Sequence, residues 1–294
     1  MASKIELKGK EFRRLQLIQL DLLKEVDRVC RANNINYVIS DGSMLGAIRH
    51  KGFIPWDDDI DVCMLREEYE KFKKVANQLN PEIAYFQDHT TDPNYFWGYG
   101  KVRRTGTRFV RVGQSHLKFK DGVGMDIFPL DDVPNSTIGR MLQDFRLFLM
   151  RKHLYAQVAI KNEKRKIPLL IYKIMAKKKP AKILKKYDKM AAKSSSSNNK
   201  EVRLYFYQAP GKQYVKTPLR HRYSMPKKWF IETMDVPFED MIARGVKDYD
   251  NYLKYMFHDY MIPPPEDKRD PHAPCESYDF NHLYENIEWK EEVK

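Results

Sequence analysis

Leu15, Ile18, Leu22, Leu23, Val26 and Val29 recur every three or four positions, which predicts an amphipathic helix over residues 11–33, stopped by Asn33-Asn34. Tyr37-Val38-Ile39 is a short β-prone run that ends at Asp41-Gly42-Ser43. A helical stretch follows over residues 44–50, and Gly52 and Pro55 break it. The period then drops to two. Ile60 and Val62 alternate with Asp59 and Asp61, so a short strand would carry both carboxylates on one face. Residues 67–79 read as helix, and β-prone segments lie at 83–87, 97–103, 109–112 and 124–128. This mixture predicts an α/β (α+β) fold in which helices flank a mixed sheet.

Residues 146–193 differ in kind. They carry sixteen Lys or Arg and two acids, Glu163 and Asp188, with apolar residues interspersed. They read as basic helices cornered at Pro168 and Pro180, followed by a polar linker over 194–199. Beyond it, Trp229-Phe230-Ile231, a helical stretch over 249–260 and Ile262-Pro-Pro-Pro265 mark an ordered tail. The expected organisation is a catalytic core over 1–140, a basic helical insertion over 141–200, and a part over 201–294 that packs on the core and contributes to its site.

Composition narrows the partners. The 294 residues are 42% apolar, enough for a sizeable core, and the formal net charge of +13 favours anionic partners: phosphates, nucleic acid or an acidic membrane. Cys30, Cys63 and Cys275 are far apart and include no CxxC pair, so neither a disulfide framework nor a zinc cluster is expected. The N-terminus shows no apolar leader and no apolar run reaches spanning length, so the expected location is cytoplasmic, soluble or peripheral at the inner face of the membrane.

Phosphoryl transfer depends on in-line positioning and on cations beside the phosphate oxygens. Mg²⁺ takes oxygen ligands, commonly carboxylates together with substrate phosphates. Asp59 and Asp61 have the spacing to share an ion, and Asp126, among apolar neighbours in Gly124-Met-Asp-Ile-Phe-Pro129, supplies a third carboxylate from another strand. Gly42-Ser43, after a strand and opening a helix, would offer backbone N–H groups and a hydroxyl to a phosphate. Acidic runs and Gly-Ser turns are individually common in solvated loops. Acids set beside Ile, Val and Trp are not, because burying an unpaired carboxylate is costly.

The stretch Gly42-Ser-Met-Leu-Gly-Ala-Ile-Arg-His-Lys-Gly-Phe-Ile-Pro-Trp-Asp-Asp-Asp-Ile-Asp-Val62 closely resembles the LicD family of phosphocholine transferases, relatives of the fukutin-type ribitol-phosphate transferases. Gly100-Lys-Val-Arg103 with Thr107, Gly124-Met-Asp-Ile-Phe-Pro-Leu-Asp131, Met225-Pro-Lys-Lys-Trp-Phe230, and Tyr260-Met-Ile-Pro-Pro-Pro-Glu-Asp-Lys-Arg269 with His272 resemble its later blocks. The basic middle region is the least matched. The resemblance implies a nucleotidyltransferase-like core and Mg²⁺ or Mn²⁺ held by Asp59, Asp61 and Asp126. It implies a CDP-linked donor such as CDP-choline. A sugar hydroxyl of a cell-surface glycan, or of its lipid-linked precursor, would attack the phosphorus distal to cytidine, and CMP would leave.

Supporting roles carry alternatives. Arg49 would contact phosphate or pair with Asp57 or Asp58; Lys101 would contact phosphate. Asp57 and Asp58 would orient the loop or a metal-bound water, and Trp56 would plug the core. Tyr95, Trp97 and Tyr99 would cage a quaternary ammonium or serve as ordinary packing. His272 would bind phosphate, act as a base, or be structural. The basic segment would meet anionic lipid or be a solvated face. Two other functions compete: a nucleotidyltransferase adding NMP to a small molecule or RNA, and a non-enzymatic basic protein binding membrane or nucleic acid. Pyrophosphate release would mark the first. The second gives no reason for three carboxylates near a glycine turn, and no RNA-binding motif is present, so no nucleic-acid partner is expected.

Overall fold

The computed structural model describes residues 4–195, 199–206, 224–269 and 274–288. The strands are β1 (Ile5–Glu6), β2 (Val38–Ile39), β3 (Asp61–Leu65), β4 (Ala84–Gln87), β5 (Gly100–Arg104), β6 (Arg108–Arg111), β7 (Gly124–Asp132), β8 (Glu201–Leu204), β9 (Met225–Pro226), β10 (Thr233–Phe238), β11 (Met241–Val246) and β12 (Pro274–Asp279). The helices are α1 (Gly9–Ala32), α2 (Asp41–His50), α3 (Arg66–Val75), α4 (Thr137–Asn162), α5 (Lys166–Ala176), α6 (Pro180–Ser195) and α7 (Tyr249–Phe257). The fold is α+β. The central sheet runs β2-β3-β7-β5-β4, with β8 pairing β7 and β9 pairing β8. β3 and β7 are parallel; β5 runs antiparallel to β7.

The long amphipathic α1 lays Leu22, Leu23, Val26 and Val29 into the core that also takes Ile39, Val62, Phe72, Val102 and Ile127. Each such large side chain contributes roughly 1.5–3 kcal/mol when taken out of water. The two chain ends meet at a small sheet, where β12 pairs with β6 on one side and β1 on the other.

The insertion between β7 and β8 is three helices. The Ser136 hydroxyl caps α4 by accepting from the Gly139 N–H at 3.1 Å. Pro180 opens α6, where its missing N–H costs nothing. Pro168, expected at a corner, lies instead in the first turn of α5, where an N–H would lack an intrahelical partner anyway. A buried node docks α6 on the sheet. Arg66 grips Asp131 of β7 through two 2.8 Å bonds and donates to the Tyr187 hydroxyl at 2.5 Å. None of the described helices is long and apolar enough to cross a membrane.

Candidate active site

Strand register builds the site. Asp61 of β3 sits opposite Asp126 of β7, and Asp126 sits opposite Lys101 of β5. One row across three strands therefore holds two carboxylates and an ammonium, and Lys101 Nζ bonds Asp126 Oδ1. The strand carrying Asp61 begins at that residue, so Asp59 lies just before it, although the Ile60 carbonyl still accepts from the Asp126 N–H at 3.1 Å. Asp59 sits in the loop before it, because two buried glutamines of α1 hold that loop. Gln19 donates to the Asp58 carbonyl at 2.5 Å and accepts from the Ile60 N–H at 3.1 Å, and Gln16 donates to the Asp57 carbonyl at 3.0 Å.

This loop places one carboxylate oxygen each of Asp57, Asp58 and Asp59 within 4.8 Å of one another. Arg111 of β6 reaches over them, with Nη2 at 3.5 Å from Asp58 and 3.8 Å from Asp59. Asp58, Asp59, Lys101, Arg111 and Asp126 face a cavity of about 310 Å³ whose other walls include Trp97, Tyr99, Phe119 and Phe206. The electrostatics are strained. Burial and the neighbouring Asp58 push Asp59 up to about 6, and burial pushes Asp41 to about 6. Burial together with Asp59, Asp41 and Asp126 lifts Asp61 well above the usual carboxylate range, and burial with Asp59 and Asp58 does the same to Asp57. Burial lowers the Lys101 ammonium despite Asp126. Clustered hard oxygen donors that repel one another suit a divalent cation, which removes the repulsion. The donor set fits Mg²⁺ or Mn²⁺.

Residues 34–168 match the family model described as LicD/FKTN/FKRP, nucleotidyltransferase domain. The chain is therefore similar to LicD-family proteins over just under half of its length. Among its relatives, the lipopolysaccharide cholinephosphotransferase LicD of Haemophilus influenzae is 28% identical over 281 residues, 92% of this chain and 99% of that protein. An uncharacterized protein of Rickettsia prowazekii is 37% identical over 157 residues, 53% of this chain and 52% of that protein.

The matched segment contains Asp61, Asp126 and Lys101, which strand register places side by side, and Asp59, which lines the cavity with Asp126 and Lys101. Gly42 and Ser43 fall inside α2 and do not line the cavity. A Cβ on Gly42 would meet the Asp57 carboxylate at 2.3 Å, and Ser43 accepts from the Asp61 N–H at 2.9 Å, so the pair fastens α2 to the acidic loop and to β3. Arg49 pairs with neither Asp57 nor Asp58. It donates to the Tyr260 carbonyl at 2.8 Å and to the His50 ring at 2.9 Å. Trp56 packs partly buried on the core with the Arg269 guanidinium 5.4 Å above its ring. Trp97 and Tyr99 line the cavity, whereas Tyr95 is buried behind Tyr99. His272 lies outside the described residues.

Gln16, Gln19 and Arg111 were not singled out by sequence reasoning. The glutamines left a faint signal, being polar positions on the apolar face of α1. Arg111 left none, since β6 is placed by β12, far along the chain.

Proposed function

We propose that this chain transfers phosphocholine from a CDP-linked donor to a sugar hydroxyl, releasing CMP. The observation that carries the reading is the single cavity in which Asp59, Asp126, Lys101 and Arg111 face the aromatic rings of Trp97 and Tyr99. The H. influenzae relative, named a lipopolysaccharide cholinephosphotransferase, supports the cargo and a glycan acceptor.

Lys101 and Arg111 are placed to hold the donor's phosphate oxygens and to stabilise charge growing on the leaving CMP. Trp97 and Tyr99 put aromatic rings on the cavity wall to receive a trimethylammonium group, with the Lys101 ammonium 5.6 Å from the Tyr99 centroid. Asp59, Asp61 and Asp126 would hold Mg²⁺ or Mn²⁺, which neutralises phosphate charge when bound. The attacking hydroxyl forms a new bond to the distal phosphorus as the bridging P–O bond breaks, and its proton passes to a carboxylate of the same wall. The acceptor is met at an anionic membrane surface, where a lipid-linked precursor is held.

The test is incubation with a panel of CDP-alcohols, Mg²⁺ and candidate acceptor sugars, scored by CMP release, with Asp59→Ala as control. CMP from CDP-choline that disappears in the variant is the expected result. No CMP with any donor and acceptor, or pyrophosphate released from a nucleoside triphosphate, would overturn the reading in favour of nucleotidyl transfer.

A further inference from the structure

We propose that the α4–α5 hairpin is an in-plane docking element for an anionic bilayer, and that it sets the catalytic cavity beside the lipid surface. This rests on the membrane-held acceptor proposed above and names the part of the molecule that meets it.

α4 is apolar on two opposite faces. Leu147, Leu154 and Val158 are buried against the rest of the protein. Ile138, Met141, Leu142, Phe145 and Leu149 follow the i, i+3, i+4, i+7 spacing of a single face, and all are exposed, Ile138 by 73% and Phe145 by 61%. α5 packs along α4, with Tyr172 against Tyr155 at 6.0 Å between ring centroids. It repeats the pattern with Ile167, Leu170, Ile171 and Ile174, and Ile167 is 75% exposed. Folding therefore uses one face of α4 and leaves a second apolar face of α4, and one of α5, in water, each a periodic stripe rather than isolated exposed side chains.

Charge selects the occupant. Fourteen of the sixteen Lys and Arg in residues 146–193 are exposed, including Lys164-Arg165-Lys166 at one end of α5 and Lys177-Lys178-Lys179 at the other. An apolar helical face flanked by cations suits a layer of acidic headgroups over hydrocarbon, and suits a second copy of an equally basic surface poorly. At 26 residues α4 is about 39 Å long, but half its girth is committed to the protein, so it lies along the surface.

The position matters for the reaction. A second cavity, of about 290 Å³, lies under α4 between Phe148, Arg151, Lys152 and Tyr155, and shares Trp97 and Phe206 with the catalytic cavity. Those two rings are all that the two cavities have in common, so the flank of α4 that carries the exposed Phe148 and Tyr155 lies next to the reaction site.

The experiment is vesicle flotation of the full chain with phosphatidylcholine alone or with about one third phosphatidylglycerol. Wild type should float with anionic vesicles and weakly with neutral ones. The pair Phe145→Asp/Ile171→Asp, both at exposed positions, should lower partitioning at least tenfold with an unchanged circular dichroism spectrum and unfolding midpoint. Lys177→Glu/Lys178→Glu/Lys179→Glu should abolish the preference for anionic vesicles. CMP release toward a soluble acceptor, measured in parallel, should be unchanged in both variants, so the catalytic reading and the docking reading can fail separately. Wild type that does not float, variants that float as well as wild type, or a solution dimer dissolved by Phe145→Asp would each overturn the proposal.

Discussion

Replacing Gln19 with Leu tests whether α1 aims the acidic loop. Gln19 is 1% exposed and makes two bonds to the loop, at 2.5 Å to the Asp58 carbonyl and at 3.1 Å from the Ile60 N–H. Leu keeps most of the volume, so the cavity penalty is small, and both backbone groups lose their partner. Each unpaired buried group costs about 1–3 kcal/mol. Gln19 also borders the catalytic cavity, where water can reach one of them, which keeps the sum in its lower half, about 2–4 kcal/mol. Burying the leucine methyls offsets about 1 kcal/mol, leaving a loss of about 1–3 kcal/mol. With a urea slope of about 3 kcal/mol/M for a chain of this size, the midpoint should fall by about 0.3–1 M. Misaimed carboxylates should also raise the Mg²⁺ concentration that half-maximally stabilises the protein by about tenfold or more. Gln19→Glu is the control. Its neutral carboxyl can donate to the Asp58 carbonyl and accept from Ile60, and its anion cannot donate, so its deficit should shrink at low pH and grow as pH rises. A Leu variant within about 0.5 kcal/mol of wild type and with the same Mg²⁺ requirement would refute the bracing role.

Three further outcomes follow from the same geometry. Asp41 stands at φ +48°, in the left-handed region that favours glycine, and burial pushes its carboxyl to about 6; Asp41→Gly should raise stability by about 1 kcal/mol or more, read from urea unfolding. Asp131→Asn takes away the buried countercharge of Arg66 and leaves only the half-exposed Glu70 at 3.1 Å, so it should cost about 3 kcal/mol, with loosening of α6 visible as faster amide exchange; a change below about 1 kcal/mol would show that the node does not dock the insertion. Asp59 and Asp41, at about 6, lie above their unfolded value of about 4, so they hold protons more tightly when folded. Their contribution is full below about pH 4 and is lost as pH rises through about 6, so the metal-free protein should weaken over that window. Mg²⁺ competes with those protons and should raise Tm more at about pH 7.5 than at about pH 5.5; equal shifts would show that these carboxylates do not hold it.

The parts of this molecule legible in the sequence are those that local periodicity controls. α1 announces itself through six apolar residues on one stripe, and α7 begins where the helical pattern of residues 249–260 begins. The β-prone pattern ends at residue 128 while β7 runs on to Asp132, because Pro129, Asp131 and Asp132 look like strand breakers until Arg66 and Lys227 arrive to pair the acids. The candidate site was half legible. Asp61, Asp126 and Lys101 sit on strands whose alternation the sequence displays, and only register, set by the whole sheet, makes them neighbours. Alternation continues through Asp59, but the strand starts only at Asp61, and two glutamines of α1 anchor the loop before it through bonds that no local pattern announces. Arg111 depends on β12, paired across most of the chain length, and no local pattern encodes such a contact.

The placement of α4–α6 bears on how such proteins diversify. β7 and β8 are antiparallel neighbours, Leu130 opposite Leu204 and Asp132 opposite Val202, so the chain leaves the sheet and returns to the adjacent position as a hairpin would. The whole excursion is thus an interchangeable cassette at one end of a strand whose other end carries Asp126. Shortening it, or exchanging it for another set of helices, would leave the Asp61–Asp126–Lys101 row in register. On the docking proposed above, where the protein is delivered and what bond it makes can then vary independently, and grafting this cassette onto a related core would test that by redirecting one without altering the other.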